Sequence, residues 1–480
     1  MKAVKLAGLE PERVFAYFEK ICSIPHGSGN TKAISDYLVS FAREHSIRYI
    51  QDELNNVILF KQATPGYEDH APLILQGHMD MVCEKDADCP INMETDGLDV
   101  THDGTWIFAN GTTLGGDDGI AVAYALALLE DDSIAHPPLE IILTVDEETG
   151  LEGATGIDLS QLQGRRMINL DSEEEGCFTA GCAGGVRVDI TRGFEKHAVY
   201  GPCVKLIVEG LRGGHSGVEI DKNRANANKV MAELLRRIRE LMPLCLTKLS
   251  GGNKDNAIPR SSQAILVAMG TNIERINGIC QTLQKEIRET FDEPDALIYG
   301  EDVDALGGNA LSTKDTDSVI GLLTEAPNGV QSMSKELPDL VQTSLNLGIL
   351  TLDETLCASF ALRSSVDAEK AALRQKLEAL AGKYDCQSAC RGDYPAWEYR
   401  PESQLRDTMM LVYERMTGKK AVVDVIHAGL ECGILAQKLP GLDCISTGPS
   451  GEAIHTSQER LNIASARRTW EFLLEVLKEL

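Results

Sequence analysis

The thirteen cysteines of this 480-residue chain form an odd set, scattered along its length and never spaced as CxxC. That excludes a disulfide framework and a thiolate zinc knuckle, and it points to a reducing compartment. Basic charge is scarce as well: 46 Lys and Arg against 73 Asp and Glu leave a formal net charge of −27. Nucleic acid and anionic lipid both attract a basic face, so neither is an expected partner, and the acidity reads as solubility. No apolar run reaches the roughly 20 residues that a membrane crossing needs. The longest, Ile120 to Leu129, is about half of that. The opening stretch MKAVKLAGLEPERVFAYFEKICSIP carries Lys and Glu throughout and lacks an apolar segment followed by a small-residue cleavage site. Repeats and low-complexity tracts are absent, and the expectation is a soluble cytoplasmic protein.

What the sequence does contain is alternation. Length alone favours two or three domains. PERVFAYFEKICSI and TKAISDYLVSFAREH have the apolar spacing of amphipathic helices. NNVILFK, PLILQGHMDMV and LEIILTVDEE are short apolar runs with polar ends, and GIAVAYALALLEDD is a nearly all-apolar helix between the last two. Such runs separated by helices predict an α/β fold with a mostly parallel central sheet flanked by helices. Near residue 186 glycines break this pattern. From there to about residue 395, amphipathic strands alternate with helices such as NRANANKVMAELLRRIREL, which predicts an inserted α+β domain. The tail returns to apolar strands, AVVDVIHAG and DCISTGPSG, and a closing helix that completes the first sheet. The expected organisation is a catalytic domain over 1–185 and 396–480 interrupted by an insert over 186–395.

In parallel sheets the ligand crevice lies beyond the carboxyl ends of the strands, so the polar ends deserve scrutiny. LILQGHMDMV places His78 and Asp80 two apart, on one face of a strand end. GTTLGGDDGIAVAYALALL puts Asp117 and Asp118 in a glycine-rich turn opening a helix. LTVDEETG ends in Asp146, Glu147 and Glu148, MINLDSEEEG in Asp171, and STGPSGEAIHTSQE carries His455. Each acid alone reads as a helix cap or a solvated end. Together they form a set of imidazole and carboxylate donors without thiolate, which suits zinc, manganese or cobalt. Two ions about 3.5–4 Å apart need a bridging carboxylate and roughly two more protein ligands each, and the five stretches supply that number. The expected chemistry is hydrolysis by a metal-activated water, with an unligated carboxylate moving the proton.

The blocks LQGHMDMV, GTTLGGDDGIAVAYALALL, DEETGLEGATG, NLDSEEEG, GCAGG, GLRGGHSGVEI, NAIPR, PNGV, HAGLECG and GPSGEAIHTSQE occur in order over nearly the whole chain. In that order they resemble the cytosolic aminoacyl-histidine dipeptidases, or bacterial carnosinases, among the co-catalytic zinc peptidases with an inserted lid or dimerisation domain. The resemblance implies hydrolysis of small peptides, with a C-terminal histidine as a preference, and two divalent ions, Zn2+ foremost and Mn2+ or Co2+ as alternatives. It makes His78, Asp117, Glu148, Asp171 and His455 the ligands, with Asp117 bridging. Glu147 is then the general base and Asp80 the carboxylate that orients His78. His215 of GGHSG would donate to the developing oxyanion, Asn256 would contact substrate, Arg363 would bind the free carboxylate, and His427 would line the pocket. A homodimer through the insert is a further implication.

Two departures stand out. The turn has Asp118 where relatives often carry Asn, so Asp118 competes with Asp117 as ligand; the resemblance favours Asp117. After His455 the chain reads TSQE where SPDE is common, which leaves any contact from Gln458 open. The remaining histidines, His26, His45, His70, His102, His136 and His197, read as solvated or packed residues of loops or helices. A deacylase or carboxypeptidase acting on N-acyl amino acids is the alternative, because the pocket and not the metals sets the substrate. A non-enzymatic scaffold would lack the base or a ligand, and all are present.

Overall fold

The computed structural model describes residues 5–269 and 273–480, so Gly270, the last residue of SSQAILVAMG, a run whose pattern predicts a strand, lies outside the described residues. The chain divides into two compact units. One comprises the chain up to Gly181 with Tyr399–Val425 and Leu430–Leu480; the other comprises Cys182–Glu398 and Ile426–Gly429. The segment Ile426–Gly429, read from the sequence with the tail, thus packs with the second unit.

The first unit is built on an eight-stranded sheet in the order Arg48–Gln51, Val57–Lys61, Leu139–Thr144, Leu73–His78, Arg166–Asn169, Asp443–Ser446, Cys177–Cys182, Val422–Ile426. The four strands from Leu139–Thr144 to Asp443–Ser446 are mutually parallel. Arg48–Gln51, Val57–Lys61 and Cys177–Cys182 join antiparallel. The sheet is therefore mixed, with the expected parallel order confined to its centre. An apolar run such as VILF buries both of its faces in either direction, so composition does not report strand polarity.

Leu73–His78 and Leu139–Thr144 are buried at every position. The helix Gly116–Glu130 is apolar all round because it is buried all round, lying against Glu12–Cys22 and the strand Leu73–His78. Within it, the buried Tyr124 donates its hydroxyl to the Ala466 carbonyl at 2.7 Å, so the phenol is satisfied. Phe15 and Phe18 of Glu12–Cys22 are fully buried in the same core, and truncating either to Ala would cost about 3–5 kcal/mol. Further along the sheet, Gln404–Thr417 and Ile463–Glu479 pack on each other. Apart from this sheet, Val100–His102, Trp106–Ala109, Gly451–Glu452 and Arg460–Asn462 form a small four-stranded sheet. His102 accordingly lies in a strand, as does His197 in His197–Glu209, where the sequence reading had loops or helices.

The second unit is an α+β body. Its sheet runs Leu297–Ala310, His197–Glu209, Ser262–Ala268, Leu244–Gly251, Val341–Leu352, Thr355–Ser364, Gly184–Gly193, Gln387–Tyr394, with Gly329–Met333 beside Val341–Leu352. Helices Ala227–Leu241, Ile273–Thr290, Thr313–Glu325 and Asp367–Lys383 contribute to one apolar core with that sheet. Among the described residues, no helix is long and apolar enough to cross a membrane.

Candidate functional site

The four parallel strands of the first unit end at the same edge of the sheet. Leu73–His78 delivers His78 and Asp80, and Leu139–Thr144 leads into Glu147 and Glu148. Arg166–Asn169 leads to Asp171, and Asp443–Ser446 opens the loop carrying His455. Asp117 and Asp118 come from the first turn of Gly116–Glu130, where both depart from helical geometry. Gly77 lets that turn approach the strand: a Cβ there would sit 2.4 Å from Asp118 Oδ2 and 2.7 Å from the Ala121 methyl.

Asp117 stands between the two histidines. Its Oδ1 lies 3.0 Å from His78 Nε2 and its Oδ2 lies 3.2 Å from His455 Nε2. Glu148 Oε1 is 2.9 Å from the same His455 nitrogen, and Asp171 Oδ1 is 3.6 Å from His78 Nε2. Three overlapping groups could each hold a cation: His78 with Asp118 and Asp171, His78 with Glu147 and Glu148, and Asp117 with Glu148 and His455. The five residues read as ligands are thus brought together, and Asp118 joins the His78 side of the cluster. Its Oδ2 accepts the His78 backbone N–H at 3.2 Å.

Asp80 touches both sides of the chemistry. His78 Nδ1 donates to the Asp80 main-chain carbonyl at 3.0 Å, with the Asp80 carboxylate 3.5 Å away. Nδ1 is thereby fixed as a donor, and Nε2 faces the acids. The carboxylate itself accepts the Glu147 N–H at 3.1 Å and the Ser28 hydroxyl at 2.7 Å.

Charge in this cluster is heavily negative. Burial pushes Asp171 up to about 7, and burial with the charges of Asp171, Glu431 and Glu148 holds Glu147 well above the usual carboxylate range. Hydrogen bonds to Asp117 and Glu148 push His455 up to about 11. Burial opposes charge on His78, yet Asp171, Asp117 and Asp80 raise its proton affinity nonetheless. A set of acids that recruits protons onto both histidines is one that cations would satisfy, and imidazole with carboxylate suits zinc, manganese or cobalt. The residues present fit two such ions.

Sequence reading overlooked three acids here. Glu459 is buried, and its carboxylate accepts the N–H groups of Leu114, Gly115, Gly116 and Asp117. Glu431 is fully buried; its Oε2 accepts from Gln76 and Thr144, both at 2.6 Å, while Oε1 has no partner among the described residues. Burial pushes it up to about 7. Glu173 lines a cleft of about 330 Å³ together with Asp117, Asp118 and Asp171. Each of the three lies inside a quoted block, Glu173 in NLDSEEEG, Glu431 in HAGLECG and Glu459 at the end of GPSGEAIHTSQE, but nothing in the sequence marks it as buried beside the cluster.

The second unit gathers its own group. His215, Arg363 and His427 converge on Gly217: a Cβ there would lie 2.5 Å from the His427 carbonyl, 2.9 Å from His215 Cε1 and 3.1 Å from Arg363 Nε. His215 Nδ1 accepts the N–H groups of Gly217 and Val218, both at 3.2 Å, so its ring proton belongs on Nε2. Burial and the nearby Arg363 charge keep this imidazole neutral. Arg363 Nη1 donates to the Tyr394 hydroxyl at 3.2 Å, and its buried Nε has no partner among the described residues. His427 shares a 2.7 Å hydrogen bond with Ser344 and is pushed down to about 3 by burial and by Arg363. Asn256 adjoins the group through its backbone, whose carbonyl accepts the Ser216 N–H at 2.8 Å.

Comparison with known proteins matches residues 74–479 to the model of peptidase family M20/M25/M40. The chain is 36% identical over 482 residues to the cytosol non-specific dipeptidase of Escherichia coli K12, covering 99% of both chains. It superposes on a crystal structure of aminoacylhistidine dipeptidase from Vibrio alginolyticus with a TM-score of 0.92 and 34% identity, over 99% of this chain and 98% of that one. A crystal structure of aminopeptidase PepT from Bacillus cereus shares the fold at a TM-score of 0.56 and 15% identity, covering 98% of this chain and 99% of that one.

Proposed function

Since the chain belongs to peptidase family M20/M25/M40, we propose that its acid cluster is the centre of a metal-dependent dipeptidase that cleaves free dipeptides, including those ending in histidine. The observation that carries this reading is the division of Asp117, with one carboxylate oxygen toward each histidine. His78 and Asp171 would hold one divalent cation and Glu148 and His455 the other, with Asp117 common to both. Zn2+ is the first candidate, with Mn2+ and Co2+ as alternatives. Such a pair would supply a water of lowered pKa and would polarise the scissile carbonyl.

The chain's own residues do the rest. The Glu147 carboxylate takes a proton from the attacking water and returns one to the departing amine as the C–N bond breaks. Asp80 aims both groups, holding His78 Nδ1 with its carbonyl and the Glu147 backbone with its carboxylate. In the second unit, the protonated Nε2 of neutral His215 is the donor offered to the oxyanion, where a hydrogen bond strengthens as charge develops. Arg363, with its buried Nε unused, is the fork for the dipeptide's free carboxylate. Asn256 and His427 contact the same substrate. The reading extends to a cytosolic location, like that of the E. coli relative, and to a homodimer formed through the second unit, the latter testable by sedimentation.

A panel assay tests the function. Chelator-stripped protein should be inactive, and added Zn2+, Mn2+ or Co2+ should restore hydrolysis of glycyl-histidine and β-alanyl-histidine but not of N-acyl amino acids. Preferential hydrolysis of the N-acyl substrates would overturn the assignment in favour of a deacylase.

A further inference from the structure

Glu459 is 3% exposed and lies four residues after His455, yet its carboxylate is directed at the turn that carries Asp117. Oε2 accepts the N–H groups of Leu114 at 2.9 Å and Gly115 at 3.2 Å. Oε1 accepts those of Gly116 at 2.7 Å and Asp117 at 3.4 Å. These are the four consecutive backbone donors at the entrance to Gly116–Glu130, the kind of N-terminal nest that elsewhere binds a phosphate or another external anion. Here a side chain of the protein fills it. No side-chain cap of the Ser, Thr, Asp or Asn type serves this helix, whose N-cap is Gly115.

Because Asp117 is both the last donor in this nest and the residue whose carboxylate lies between the two histidines, its backbone position sets where that carboxylate falls. We infer that Glu459 is a positioning residue for the bridging carboxylate, tying the loop that bears His455 to the turn that bears Asp117 so that the two ligands keep a common register. This rests on the reading that Asp117 bridges two cations. Glutamine is nearly isosteric but cannot substitute: whichever way its amide turns, an NH2 group faces two backbone N–H donors. Aspartate keeps the charge but is one methylene shorter, so it cannot reach both pairs.

The test is a Co2+ titration of the chelator-stripped full chain, followed by calorimetry and by the visible d–d spectrum, for wild type, Glu459→Gln and Glu459→Asp. Wild type should bind two Co2+ per chain; one or none would overturn the two-cation reading itself rather than the role of Glu459. With two bound by wild type, Glu459→Gln should lower Co2+ affinity by about 10–100-fold, the size typical of losing a residue that orients a ligand, and should shift the d–d bands. Glu459→Asp should fall between wild type and Glu459→Gln. Both variants should still fold without metal, with a Tm lowered by the weakened cap. An unchanged titration and spectrum in a folded Glu459→Gln protein would overturn the inference. So would metal-free unfolding of both variants, which would assign the carboxylate to the fold instead of to the ligand.

Discussion

Asp80 accepts the backbone N–H of Glu147 at 3.1 Å, so the residue that steadies the His78 ring also fixes the proposed base. Asp80→Ala keeps the main-chain carbonyl that accepts from His78 Nδ1 and removes the carboxylate that accepts from the Glu147 backbone, so kcat should fall by about 10–100-fold while zinc affinity falls less. Competition against a chromogenic chelator and steady-state kinetics would measure the two. A zinc affinity that falls as far as kcat would mean that the carboxylate, and not the carbonyl, holds His78.

Glu147→Gln removes the proton acceptor and leaves the five ligands in place. Metal content should stay at the wild-type level while kcat falls by about 10²–10⁴, the usual size of a general-base contribution. Loss of metal from this variant would exchange the roles of Glu147 and Glu148.

Gly217→Ala puts a methyl among His215, Arg363 and His427. The variant should keep its metal but lose about 10–100-fold in kcat/KM as those groups are displaced. Arg363→Ala should raise KM for dipeptides with a free C-terminus and have little effect on their C-terminal amides. Equal effects on both substrate types would remove the carboxylate-binding role.

His427 links folding to pH. Its native pKa is about 3, against about 6.5 in an unfolded chain, so between those values the unfolded state binds the extra proton. Stability from this group is complete above pH of about 6.5 and is lost on acidification toward 3, with a slope of up to about 1.4 kcal/mol per pH unit. Urea unfolding of wild type and His427→Gln across this range should give a shallower dependence for the variant. Parallel curves would mean that His427 is not the group responsible.

The convergence of these acids and histidines was legible because it follows from chain geometry: strands in a parallel core end at one edge, and donors at those ends meet; the choice of ligands among them came from the family resemblance. Strand polarity was not legible, since Val57–Lys61 is an apolar run like the parallel strands but joins Leu139–Thr144 antiparallel. Glu431 and Glu459 were missed for a different reason. A single acid in a loop or a helix start looks solvated, and only tertiary packing reveals that Glu431 lies beneath Gln76 and Thr144 or that Glu459 caps a distant helix. The same holds for Ile426–Gly429, which begins with the last residue of the strand Val422–Ile426 yet belongs to the second unit. Four residues carry no compositional mark of such a switch.

The most direct test is anomalous scattering at the zinc edge from crystals grown with Zn2+. Two peaks about 3.5–4 Å apart, with one oxygen of Asp117 on each, are the expected result. A single peak, or a pair joined through Asp118 with Asp117 outside the coordination sphere, would contradict it.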